Sequence, residues 1–243
     1  YNWTRDNTVS VTGIAASGAG NISGTLTNTT AVPITVTFTI TPTAGGCPGT
    51  PITATVLVNP TPNAVATPPS QTVCSGAPLI TIVLSGNVAN TTYSWTRDNT
   101  ATVIGIAGSG NGDISGFLTN LTAAPVTVTF TITPSANGCS GTPITATATV
   151  NPRPTITCPA GVVVSAAAGT CSAVVTYPPA TVTGSPAPTI TYSIPSGSTF
   201  PVGVTTVTVT ASNSCGTVTC TFTVTVTDVQ VPLITTPPAG RAV

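Results

Sequence analysis

The sequence predicts an all-β chain of tandem β-sandwich domains, and two kinds of observation carry that. About a fifth of the 243 residues are Thr, with Val, Ala, Pro and Gly close behind, and Thr and Val suit a pleated, half-buried surface. Short stretches of period-two alternation are bounded by Gly, Pro, Asn and Ser, the punctuation of antiparallel strands. The apolar fraction of 40% is enough for burial to offset the entropy of ordering, which separates this low-charge chain from a disordered one.

A long internal repeat sets the organisation. Offset by 92 residues, Tyr1–Pro60 matches Tyr93–Pro152 without a gap, with about 44 of 60 positions identical. That period fits a small sandwich domain. One complete unit is therefore expected over 61–152, and residues 1–60 read as the C-terminal two-thirds of the same unit. A different unit follows over 153–228. Its strands are expected around Cys171–Tyr177, over 189–194, over 205–212 and over 217–227, where Phe222, Val224 and Val226 share one face and the threonines the other. "PTITCPAGVVV" at 154–164 returns as "PLITTPPAGRAV" at 232–243, so 229–243 reads as the start of a further unit. The whole reads as a window on a longer polypeptide, or as a subunit completed by strands of a neighbour. The joints "VNPTP" and "VNPRP" are short and Pro-bearing, which favours semi-rigid connections and an extended rod.

The complete unit carries "YSWTRDNT" (93–100), nearly identical to "YNWTRDNT" (1–8). A Tyr-x-Trp strand running into a polar turn resembles the PKD-like domain, although Arg97 and Asp98 stand where the family's usual turn has glycine and aspartate. The unit at 153–228, with "TCPAG", "GTCSAVVTY", "SGSTFPVGVTTVTVTASN" and "CTFTVTVTD", is similar to the HYR (hyalin repeat) module. Both resemblances imply immunoglobulin-like sandwiches. Alternating PKD-like and HYR modules resemble the very large secreted surface adhesins of gliding bacteria, substrates of type IX secretion. The resemblance implies an extracellular, cell-surface stalk or scaffold. The competing readings are a filament or sheath subunit completed by strand exchange, and a glycan-binding module.

Charge excludes several other classes. The chain has four Arg and four Asp and no Lys, Glu or His, so its net charge is zero. Nucleic acid and anionic membranes both select clustered positive charge, and no apolar run is long enough to span a bilayer. No nucleic-acid partner and no membrane insertion are expected within this segment; the expected partners are neighbouring domains of the same long chain, like chains in a filament, or a surface glycan. Without His, Lys or Glu no base is at hand for a nucleophilic triad. Asp98 and Asp113 are the one carboxylate pair in a complete unit, and the glycine run at 105–112 has no lysine after it to hold phosphate. No catalytic residue and no cofactor are expected.

Half of the charged residues flank the two tryptophans: Trp3, Arg5 and Asp6 in the first copy, Trp95, Arg97 and Asp98 in the second. Alternation puts Tyr93, Trp95 and Arg97 on one face, with the tryptophan as core. Arg97 is expected at the strand's edge with its guanidinium in water, and Asp98 and Asn99 as turn residues. The alternatives are a sugar-binding lip and a calcium corner, the latter short of the six to eight oxygens the ion requires.

The chain has seven cysteines, and the period makes Cys47 the copy of Cys139. Cys74 and Cys139 are expected to pair within the complete unit, a bridge contributing roughly 2–4 kcal/mol, which leaves Cys47 unpaired in this window. Cys158, Cys171, Cys215 and Cys220 allow three pairings, and a sandwich topology favours Cys158 with Cys220 or Cys215. Zinc is disfavoured because there is no C-x-x-C spacing and no His, so no metal is expected. The sequons at Asn2, Asn21, Asn28, Asn90 and Asn120 show surface polarity at most and are expected to be mostly bare.

Overall fold

The computed structural model describes residues 1–231. They are all-β, with no helix among the described residues, and they fall into two compact units. The first holds residues 1–121 and 126–150; the second holds 122–125 and the chain from 151 onward. Most of the expected start of a further unit, residues 232–243, lies outside the described residues.

Within the first unit, the repeat at 61–152 is a two-layer sandwich. One layer is a sheet in the order Ser70–Cys74, Ile144–Asn151, Val126–Ala136, Thr92–Arg97, Ser109–Asn111. The other is made of the pairs Val65–Thr67 with Val83–Ser85 and Val103–Gly105 with Leu118–Asn120, joined through bridges Pro78 to Phe117 and Ile82 to Ile114. The period-two sequence produces this directly. Along Val126–Ala136, Val128, Phe130 and Ile132 are fully buried while the threonines between them face outward. Threonine then faces threonine across the strands, as in Thr127 with Thr149, Thr129 with Thr147 and Thr131 with Thr145. The first of these pairs brings its hydroxyls within 3.0 Å.

The repeat at 1–60 rebuilds one sheet of this design, in the order Ser17–Ala19, Asn2–Arg5, Ile34–Thr41, Ile52–Val58. Opposite it, among the described residues, lie Val11–Thr12 paired with Thr27–Asn28 and a bridge from Asn28 to Pro60. Its core is correspondingly small: Trp3, Val11, Val36, Phe38 and Val58.

The second unit has a sheet in the order Val162–Ser165, Gly216–Thr227, Gly203–Asn213, Thr189–Tyr192, the first pair parallel and the others antiparallel. Ser172–Val175 with Ser198–Pro201 and Thr155–Thr157 with Thr181–Thr183 add the remaining strands. Phe200, Val207, Val209, Val224 and Val226 are buried between them, and Tyr177 packs edge-on against Phe222 at 4.8 Å. Cys158 is bonded to Cys220, and Cys215 is disulfide-bonded as well. Cys171 is a free, exposed thiol.

The bridge expected between Cys74 and Cys139 does not form, because Cys139 is a free thiol and Cys74 is disulfide-bonded without it. The topology gives the reason. Ser75 and Asn120 are hydrogen-bonded, and the Asn120 amide donates to the carbonyl of Val150, which places Cys74 near the Val150 end of its sheet. Cys139 faces Ala136, ten residues along the same strand from Val126, the partner of Val150. At about 3.3 Å per residue the two ends are roughly 30 Å apart, far beyond the ~4–7 Å between Cα atoms that a disulfide spans. The repeat put both cysteines in one unit but did not show that they sit at opposite ends of the sandwich. Cys47, the counterpart of Cys139, is likewise a free and exposed thiol.

Candidate functional site: the Trp-Arg-Asp corner

The corner is built from the strand Thr92–Arg97 and the turn after it. Trp95 points inward, 8% exposed, and meets Phe130 edge-on with ring centroids 5.8 Å apart. Trp3 meets Phe38 in the same way at 5.8 Å. The neighbouring strand passes over each indole at a glycine. A Cβ on Gly110 would lie 2.3 Å from a Trp95 ring carbon, and one on Gly18 would lie 2.5 Å from Trp3. No larger residue fits at either place unless the ring moves. The indole N–H of Trp95 donates to the carbonyl of Gly112 (3.1 Å).

Arg97 corrects the expectation drawn from its position. Its guanidinium does not reach out to water: the residue is 9% exposed, and the head turns back under the loop at 103–107. Nε donates to the carbonyls of Ile106 (2.9 Å) and Ala107 (3.1 Å), Nη2 to those of Ile106 (2.6 Å) and Val103 (3.0 Å), and Nη1 to that of Asp98 (3.2 Å). The cause lies in the path of the chain. The strand Val103–Gly105 and the two residues after it bring the carbonyls of Val103, Ile106 and Ala107 over the arginine, and buried acceptors require donors. Burial pushes the Arg97 pKa down, and the nearby Asp98 carboxylate opposes that shift. Arg5 repeats the arrangement on Ile14, Ala15 and Asp6.

Asp98 turns the other way. Its Oδ1 accepts the backbone N–H of Thr129 at 2.8 Å, and Asn99, in the left-handed region at φ 55°, donates its amide to the carbonyl of Thr127. Asp6 and Asn7 do the same with Thr37 and Thr35. Short polar side chains both tolerate this backbone and cap it. The polar atoms of the corner are thus directed at backbone groups of their own repeat.

Asp113 is not brought to Asp98; it accepts the backbone N–H of Leu84 instead. The two carboxylates therefore form no catalytic or calcium pair, and among the described residues no group of three or more His, Cys, Asp or Glu could hold a metal ion. A shallow hollow of about 310 Å³ lies beside Trp95, lined by Ser94, Thr96, Ser109, Asn111 and Thr131. It presents hydroxyls, but a ring 8% exposed gives a sugar no face to stack on.

Sequence reasoning missed two buried asparagines. Asn28 and Asn120 are each 8% exposed, so the sequons they open are not surface features. Asn28 donates to the carbonyls of Val32 and Val58 and accepts from Thr30, and Asn120 donates to Val150. The signal was available in the alternation of "LTN": Leu118 faces in, Thr119 out, and Asn120 in again.

Comparison with known proteins supplies the remaining context. A PKD-like domain model matches residues 1–62 and 71–154, and an HYR domain model matches 149–226. No curated protein matches the chain. Among solved structures it is similar to the titin I-band fragment I67–I69 (12% identity, covering 93% of this chain and 87% of that one, TM-score 0.46). It is also similar to mouse cadherin-23 EC22–24 (13% identity, 94% and 86%, TM-score 0.36) and to the two immunoglobulin domains of DIP-gamma (13% identity, 69% and 98%, TM-score 0.41). Neither matched domain model is catalytic. With more than half of its length matched by one model, the chain belongs to the PKD-like domain family, and its PKD-like stretches lead into an HYR domain.

Proposed function

We propose that the chain is a non-enzymatic extracellular repeat segment, the stalk or scaffold of a large cell-surface adhesin, with sandwich domains at 61–152 and 153–228, a partial one at 1–60, and a further one opening at 229. The observation that carries the reading is the use of its charges. In both corners arginine and aspartate are spent on backbone groups of their own repeat, so the residues best suited to chemistry serve the fold. Much of the surface left is rows of threonine hydroxyls, interspersed with exposed valine, isoleucine and leucine side chains. The disulfide in the HYR domain fits an oxidising, extracellular setting. We place no sugar site at the corner, since the indole is covered.

Small-angle scattering tests the stalk. A compact globule of this length has a radius of gyration of about 18 Å. If the three stand in line, their longest strands of eight, eleven and twelve residues would make a rod of ~100 Å with a radius of gyration of about 30 Å at ~3.3 Å per residue. A value near 30 Å is expected, and one near 18 Å would end the stalk reading. A second reading, a filament or sheath subunit completed by strand exchange, is favoured by the edge of Ile52–Val58, which among the described residues has no strand on its outer side. A particle mass that climbs with concentration in the same measurement would select it.

A further inference from the structure

Between the two PKD-like repeats, threonine gives way to a large apolar residue at three positions: Thr12 to Ile104, Thr25 to Phe117 and Thr29 to Leu121. The three lie together. Ile104 pairs with Thr119, so Phe117 and Leu121, two residues to either side of Thr119, are its diagonal neighbours on the outer face of the smaller layer. All three are open to solvent, at 47%, 57% and 60%. On the other sheet the exchange runs the opposite way, the exposed Leu57 of the first repeat becoming Thr149 in the second.

The rest of the repeat at 61–152 follows the same division. Every large hydrophobic side chain exposed there belongs to this layer: Val65, Ile80 and Val83 join Ile104, Phe117 and Leu121, with Pro78 bridging to Phe117 between them. The opposite layer presents threonine rows. The apolar layer is also uncharged, since 65–67, 78–85, 103–105 and 114–121 contain no Arg or Asp, and the adjoining Asp113 is held by the Leu84 N–H. A fully open phenylalanine offers roughly 150–250 Å² and the aliphatic residues somewhat less, so these exposures leave ~600 Å² of apolar area, at the upper end for one patch on a monomer. Two such faces together would hide ~1,200 Å², the area at which specific interfaces begin.

We propose that this apolar face is a self-association surface, on which a second copy of the chain docks with the same face about a two-fold axis, Phe117 serving as its aromatic anchor. The area is what a specific pair needs, and an uncharged face meets itself without like-charge repulsion. A sugar would require polar side chains placed around its ring, and an anionic membrane would require clustered positive charge; this layer supplies neither. The contact is sheet face on sheet face, so it uses no strand edge, and a two-fold contact closes at two copies. It does not depend on the stalk reading.

Sedimentation equilibrium of the full chain from about 1 to 300 µM, the range in which the weaker interfaces of this size associate, tests the pairing. The thiols of Cys47, Cys139 and Cys171 are alkylated first, so that no disulfide can join two molecules. The mass should rise from 23.8 kDa and level off at twice that value. Phe117→Thr combined with Ile104→Thr, and separately Leu121→Thr, install residues that the first repeat already carries. With melting curves like the parent's, the double variant should weaken the pairing by roughly tenfold or more and Leu121→Thr by less. Leu57→Thr, which trims an equally exposed side chain elsewhere, should leave it unchanged. A mass of 23.8 kDa throughout overturns the proposal, whatever sugar or lipid the single chain binds. Association that the double variant retains in full, or that grows past two copies, overturns it as well, since either would belong to another surface.

Discussion

Replacing Arg97 by Met removes a buried guanidinium while keeping an unbranched apolar stem, so it isolates what the head group does. Three carbonyls lose a donor at 2.6–3.1 Å: those of Val103 and Ile106, which are buried, and that of Ala107, an exposed residue water can reach. A buried acceptor left unsatisfied costs about 1–3 kcal/mol. Taking the low end for the two buried ones gives about 2 kcal/mol, against a total of about 5–15 kcal/mol for a natural domain. The variant should therefore fold but unfold early. In urea, with a slope of about 1–3 kcal/mol per molar, the midpoint should fall by at least ~0.7 M, read from Trp95 fluorescence in a Trp3→Phe background. The ionic-strength dependence separates two explanations. Neutral carbonyls are little affected by screening, whereas an ion pair with Asp98 would weaken as the Debye length shrinks from about 10 Å to 3 Å between 0.1 and 1 M salt. The loss should be the same at both. A cost under about 0.5 kcal/mol, or one that halves in high salt, would refute the carbonyl-capping account.

Gly110→Ala should cost about 1–3 kcal/mol, because a Cβ 2.3 Å from the indole forces overpacking; an unchanged melting temperature would show that the ring can yield. Asp98→Asn should cost little, since the amide oxygen can still accept from Thr129, and a loss as large as that of Arg97→Met would contradict this. Cys158→Ser should destabilise the HYR domain by roughly 4 kcal/mol, from the loop-closure entropy of a 62-residue separation, as measured by denaturation of the variant against the oxidised parent. A thiol-reactive reagent on the native chain should label Cys47 and Cys171 quickly and Cys139 more slowly, and a peptide map joining Cys74 to Cys139 would contradict the topology. The Tyr93 and Tyr177 pKa values are raised above 10.0, first by burial, and Tyr177 donates its hydroxyl to the Ile194 carbonyl. The unfolded chain then loses these protons first, so their contribution is whole below pH 10 and declines as pH rises towards the folded values. Stability measured between pH 8 and 12 should fall above about pH 10.

Much of this fold was legible because the chain alternates so strictly. Phe222, Val224 and Val226 face inward as their spacing requires, and the inward tryptophans could be read from Tyr-x-Trp. What was not legible depended on where a strand ends. Arg97 lies on the inward register of its strand, and the end of a strand normally opens to solvent, which favours a guanidinium in water. The structure instead brings the 103–107 loop over that end, and nothing in the local sequence marks those carbonyls as needing a donor. The same limit applied to Cys74 and Cys139, whose place in one repeat hid their opposite ends. Gly18 and Gly110 were readable only as turn residues until the indole under each was located.

The verbatim repetition of "WTRDNT" follows from this geometry. A neutral side chain of the same reach carries at most two donors, as in glutamine, whereas arginine carries five in a rigid fork. One arginine can therefore close a loop that would otherwise need several hydroxyls or a further strand. Aspartate and asparagine then turn the chain back by gripping Thr129 and Thr127. Losing either end of this device strands buried backbone groups, so a duplicated domain that keeps its fold keeps the device with it. The surface carries few charges and consists mostly of hydroxyl rows and methyls. Contacts made through such faces are governed by fit and hydrogen bonding and should be nearly indifferent to ionic strength, a property that suits the stalk we propose.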